Sequence, residues 1–129
     1  ITSMPFQPQD KFLKLFQECK FLFVPNRSDA SPRVVTQAFC YNIPVLMNKN
    51  IVGGWKYINE YTGEFFTDET DIGDALHKMV NNRHIFRPLK WFAENYGKER
   101  SGKRLLEFLK IHYNDVSLSN ANYVTFKRL

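Results

Sequence analysis

"SDASPRVVTQAFCYNIPVL", residues 28–46, reads in succession as a polar loop, a helix with marked ends and a buried strand. Ser31 before Pro32 is a helix start. A serine oxygen accepts from a backbone N–H of the first turn, and proline at the first helical position forfeits no hydrogen bond. Such a cap is worth about 1 kcal/mol. Asn42 stands where the helix must stop, and asparagine tolerates the left-handed conformation used there. The helix expected is therefore 32–41. Val34, Val35, Ala38 and Phe39 supply its buried side, while Arg33 and Gln37, four residues apart, share another face directed toward the mouth of the sheet.

On either side of this stretch the pattern alternates. Residues 10–19 read as a helix, with Asp10 as cap and Phe12, Leu13 and Phe16 as its apolar face. "KFLFV" at 20–24 is a short strand ended by Pro25, and its continuous apolar run suits a parallel sheet covered on both faces. A polar loop follows at 26–31. Beyond the helix, 44–47 is a second buried strand, then come the loop "NKNIVGG", a short helix at 55–60, the turn "YTG" and a third strand, "EFF", at 64–66. Residues 71–81 are helical, with Ile72, Ala75, Leu76, Met79 and Val80 on one side, and two further helices span 87–96 and 101–113. "SLSNANYVTFKRL" at the end has no period.

Helices alternating with strands argue for right-handed crossovers and a parallel sheet. The fold class is therefore α/β. Three strands are fewer than the five or six of a doubly wound sheet, so the expectation is a partial, Rossmann-like one, the later half of a nucleotide-binding domain. The organisation expected is a half-domain at 1–82, C-terminal helices packed on it at 83–113, and a tail at 114–129.

Composition sets outer bounds. A chain of 129 residues with 43% hydrophobic and 24% charged residues has the makings of one soluble globular domain, or most of one. No apolar run approaches the roughly 20 residues of a membrane span, and "ITSMPFQPQD" lacks a secretion signal, so a cytoplasmic location is expected. A first residue of Ile1 rather than Met suggests a fragment. Cys19 and Cys40 sit in apolar helical patterns, as reduced thiols packed in a core would. His77, His84 and His112 lack metal-ligand spacing, and no metal is expected.

Charge is unevenly placed. Residues 1–82 hold 8 Lys and Arg against 9 Asp and Glu, net −1, whereas 83–129 hold 10 against 4, net +6. Such a segment marks nucleic acid, an acidic membrane surface or, more often, a solvated helix face. Dispersal of the basic residues among Trp91, Phe92, Leu105, Leu106, Phe108 and Leu109 favours the last. Trp91, Phe92 and Tyr96, at helical spacing, read as packing residues rather than a sugar-stacking platform.

In an open parallel sheet ligands bind outside the carboxyl ends of the strands, where loop 26–31 must lie. A helix start there offers backbone N–H groups and a positive dipole end suited to phosphate. Asp29 can accept from hydroxyls, and Gln37 can bond a diol through its carbonyl and amide. From the residues alone a second reading stays open, with Asp29 as an alternative cap and Gln37 as a surface residue.

At these residues "VPNRSDASPRVVTQAFCYNIPVL" resembles the donor-binding signature of retaining glycosyltransferases of the GT-B fold, family 4 or group 1 type. That pattern is Pro-Ser-x-x-Glu, seven residues, Glu-Ala, then Gly-x-Pro-Val. Pro25 and Asn26 match its first pair, Asp29 its first acid, Gln37 and Ala38 its second acid and alanine, and residues 42–45 its end. "VGGWKYI", with Gly53 and Gly54, resembles the family's Gly-Gly loop, "TGEFF" its turn and strand, and "DIGDAL" its next helix, so the likeness covers Phe12 to Val80.

The resemblance implies the donor-binding half of a hexosyl-type transferase acting on a nucleotide-sugar with retention. Asp29 would be the catalytic-site acid touching hydroxyls of the transferred sugar. The donor would be held by Asn26, Ser31, the backbone around Arg33 and Val34 (facing the diphosphate), Gln37 (holding the ribose), and Gly53 and Gly54 (letting the chain pass close). No cofactor or metal is implied, because protein cations and helix dipoles serve the leaving diphosphate. The partners implied are a nucleotide-sugar and an N-terminal acceptor-binding domain of the same polypeptide. Nucleic acid is not expected, and membrane association stays open without a specific feature that supports it.

Three departures qualify the likeness. Asp29 is shorter than the usual Glu, Gln37 replaces a carboxylate by a neutral amide, and Tyr57 stands where many members carry Glu. The basic pair that grips the diphosphate lies earlier in such domains, so this stretch by itself is expected to be inactive. The alternatives are a non-catalytic nucleotide- or sugar-binding relative, and an interaction module whose residues 83–129 meet acidic partners.

Overall fold

The computed structural model describes residues 4–113. In chain order these form α1 (Gln9–Glu18), β1 (Leu22–Val24), α2 (Arg33–Cys40), β2 (Val45–Asn48), a 3-10 turn (Trp55–Tyr57), β3 (Gly63–Phe66), α3 (Ile72–Asn81), α4 (Pro88–Asn95) and α5 (Lys98–His112). The expected tail, 114–129, lies outside the described residues. Two compact units divide after Trp91.

The first unit is mixed α/β. Its three strands are parallel in the order β1-β2-β3, with Leu22 opposite Val45 and Val45 opposite Gly63. Central β2 is buried throughout, as its unbroken apolar run requires. Successive strand side chains point to opposite faces. Leu46 accordingly joins Phe66, Ala75 and Met79 in one core cluster, against which Phe21, Ile72, Leu76 and Phe86 pack. Gly63 is needed for the pairing itself: any Cβ there would collide with the Val45 carbonyl. β1 is less covered than expected. It lies at the sheet edge and leaves Phe23 exposed apart from its 5.2 Å ring contact with Phe66.

α2 buries Val35, Ala38 and Phe39 completely, with Val34 half-buried at the margin. Its end is the expected one: Asn42 is left-handed, with φ 58°. The same residue acts at a distance, since its Oδ1 accepts the Leu89 N–H at 3.2 Å and so serves the open first turn of α4.

Several local expectations are corrected. α1 follows Pro8, and Asp10 sits inside its first turn without capping it, a place where a carboxylate still favours the helix dipole. Cys19 and Cys40 are both exposed rather than packed in a core. Cys19 falls just past the end of α1, where its Sγ turns back to the Leu15 carbonyl at 3.2 Å. Val80 is exposed, because the buried stripe of α3 is only wide enough for Ala75 and Met79.

In the second unit, Phe92 stacks on Tyr96 (centroids 5.4 Å apart) and the Arg104 guanidinium stands 5.5 Å from the Tyr96 ring centre. α5 buries Gly102 and Leu106 and carries a Glu99–Lys103 ion pair at 2.9 Å. Among the described residues no helix is long and apolar enough to cross a membrane.

Candidate ligand site at the strand ends

Parallel strands send all their following loops to one edge of the sheet. Residues 25–32 leave β1 and 49–54 leave β2, and the two loops are bonded to each other there. The Val52 N–H donates to the Arg27 carbonyl at 3.0 Å, and the Gly53 N–H to the Asp29 carbonyl at 3.1 Å. Gly53 lies so close to the first loop that a Cβ would collide with the Ala30 carbonyl. Gly54 is left-handed, with φ 83°, and a Cβ there would stand 2.6 Å from Pro32 Cγ. Both glycines thus serve a close approach of protein to protein at the helix entrance.

The entrance is built differently from the expected serine cap. Pro32, with ψ 94°, is the residue before α2 rather than its first helical one, and Ser31 makes no side-chain capping bond. The reason lies one step back. Asp29 Oδ1 accepts the Ser31 N–H at 2.9 Å, an Asx turn that fixes the approach to Pro32. The Pro32 carbonyl then accepts the Val35 N–H at 3.1 Å. Asp29 is half-buried, whereas Asn26 and Ser31 are exposed.

The loop after β3 completes the edge. Asp71 accepts the Thr67 N–H at 2.8 Å and the Asp68 N–H at 3.2 Å, and Asp68 accepts the Thr70 hydroxyl at 2.6 Å. Backbone donation from Thr67 holds the Asp71 carboxyl below its ordinary range, and the Thr70 hydroxyl does the same for Asp68, with Arg27 adding a smaller electrostatic pull.

Arg33 and Gln37 do share a face, and it borders a cavity of about 720 Å³. Such a volume lies within the roughly 300–1,000 Å³ of small-molecule sites. Its opposite wall comes from the N-terminal segment and α1: Phe6, Gln7, Gln9, Phe12 and Leu15 among others. The sequence pattern sets Phe12 on the apolar face of its helix and singles out neither Gln7 nor Gln9. Only the density of amides in "FQPQ" marks that wall in the sequence. The expected residues therefore form two groups. Asp29, Gly53 and Gly54 knit the loops together, whereas Arg33 and Gln37 line the cavity.

Among the described residues no group of three His, Cys, Asp or Glu side chains is arranged to hold a metal ion. What the geometry defines is a small parallel α/β unit with loops converging at one sheet edge beside a cavity. Comparison of the chain with protein-family models, curated proteins and solved structures yields no match.

Proposed function

We propose that residues 12–80 are the donor-binding part of a retaining glycosyltransferase, a partial Rossmann-like sheet that takes a nucleotide-sugar. One observation carries the reading. The loop containing Asp29 and the loop containing Gly53 and Gly54 are hydrogen-bonded at the carboxyl edge of a parallel sheet, and α2, which starts from that edge, presents Arg33 and Gln37 to a cavity of nucleoside size. The nucleoside would occupy the cavity, with its ribose diol on the Gln37 amide and carbonyl. The diphosphate would meet the first turn of α2, whose dipole and N–H groups favour anions. Arg33 supplies a positive charge on that side. The sugar would reach Asp29, whose carboxylate keeps lone pairs for hydroxyls beyond the one used on the Ser31 N–H. Charge developing on the departing diphosphate is met by preorganised dipoles and a cation, the arrangement such a transition state rewards.

A non-catalytic binding relative is the second reading. It is favoured by the neutral amide at Gln37 and by the structural use of the Asp29 carboxylate in its Asx turn.

Calorimetric titration with nucleoside diphosphates and nucleotide-sugars tests both. Gln37→Ala should weaken both ligand classes about tenfold, close to 1.4 kcal/mol. Asp29→Asn keeps an acceptor for the Ser31 N–H and should weaken nucleotide-sugars more than the diphosphates. Absence of binding to any of these ligands by the unaltered chain overturns the proposal. Sugar transfer by a polypeptide that includes an acceptor domain separates the transferase from the binding relative.

A further inference from the structure

The outer face of α5 presents a pattern that sugar transfer does not use. The helix carries five Lys and Arg against two Glu. Its inner stripe is short, with Gly102 and Leu106 buried and Leu105 and Leu109 half-buried. Arg100, Arg104, Phe108 and Ile111 follow one another at four, four and three residues, which sets them along one line of the exposed face. Phe108 is 52% exposed, Ile111 77%, and Tyr113, just past the helix end, 60%. Glu107 borders this line three residues from Arg104 and four from Ile111, and Glu99 is engaged by Lys103 at 2.9 Å, so Arg100 and Arg104 face one uncommitted carboxylate on the stripe and leave it net positive. Water solvates guanidinium groups well and an isolated isoleucine badly. A face that combines both in order has the make-up of an interfacial helix.

We propose that this stripe docks on an anionic phospholipid bilayer. Phe108, Ile111 and Tyr113 enter the boundary between headgroups and acyl chains, and Arg100 and Arg104 meet the lipid phosphates and carboxylates. Charge complementarity decides the occupant. Duplex nucleic acid would satisfy the arginines through its phosphates and leave Ile111 in water. A second copy of the helix would set like charges against each other. The proposal rests on the second unit alone and is independent of the donor-site reading.

Co-sedimentation of the 129-residue chain with vesicles tests it. Vesicles of phosphatidylcholine with about 30 mol% phosphatidylserine should retain the protein at low salt and release most of it at about 0.5 M salt, while pure phosphatidylcholine should retain little. R100E/R104E should lower retention about tenfold, and F108S/I111S at least about threefold. Circular dichroism checks that helix content is kept; R100Q/R104Q, expected to fall between, serves if the charge reversal, which also removes the Arg104 guanidinium from the Tyr96 ring, perturbs folding. Equal retention by both vesicle types, or retention indifferent to all of these substitutions, overturns the proposal. It also falls if the chain binds duplex DNA but not vesicles, or if it self-associates through Phe108 and Ile111 without binding vesicles.

Discussion

α2 and α5 are both amphipathic helices, yet they belong to their structures in opposite ways. α2, eight residues long, has three side chains with no exposure at all and loops tied down at each end: the Asx turn of Asp29 before it and left-handed Asn42 after it. α5, at fifteen residues, buries only Gly102 and Leu106; its contacts include an i,i+4 ion pair, a Phe108–His112 ring contact and an arginine over the Tyr96 ring. Helical stability in proteins comes mostly from packing of one face rather than from propensity. The short helix is therefore a fixed beam for the strand-end loops, and the long one is chiefly a surface.

Identical truncations should separate the two. Phe39→Ala removes a fully buried ring that meets Trp91 edge-on at 6.4 Å, and should cost about 3–5 kcal/mol in chemical denaturation. If it costs less than 1 kcal/mol on the same scale, the description of α2 as a packed beam fails. Asn42→Ala forces a left-handed conformation on alanine and deprives the Leu89 N–H of its acceptor, so a loss of about 1–2 kcal/mol is expected from the same measurement.

A pH titration of the thermal midpoint sharpens the picture of the strand-end loops. The Asp71 carboxyl has a folded-state pKa lowered by backbone donation from Thr67. Its contribution is thus present above the unfolded aspartate range, near pH 4, and is lost as pH falls through the lower folded value. Asp71→Asn should lower the midpoint at neutral pH and flatten the decline on the acid side. At the small end, Phe108→Ala should change denaturation stability by no more than about 0.5 kcal/mol, because the side chain is half in water. Glu99→Gln should leave the midpoint where it is, since that ion pair is solvent-exposed.

Much of α2 and β2 was legible because their signals agree. The apolar positions have one period, Asn42 marks the stop, and an unbroken apolar run predicts the covered central strand. Failures cluster where one residue type can serve more than one local geometry. Ser31 is a good capping residue, but an Asx turn from Asp29 to its N–H sets the backbone ahead of Pro32, and α2 starts one residue later than the Ser-Pro pair predicts. Apolar period alone also placed Cys40 and Val80 in the core, because periodicity tells that a face is buried and not how wide the cover is. The site was half legible. Arg33 and Gln37 sharing a face follows from their spacing, whereas the wall opposite them depends on how an N-terminal segment and α1 fold back, which no local pattern encodes.

Asn42 joins residues 47 positions apart through one side-chain oxygen. The Leu89 amide proton is consequently a built-in gauge. In a nuclear magnetic resonance spectrum its protection against solvent exchange reports whether the turn after α2 and the start of α4 have come together. Following that single resonance during refolding would time the moment at which these two segments meet.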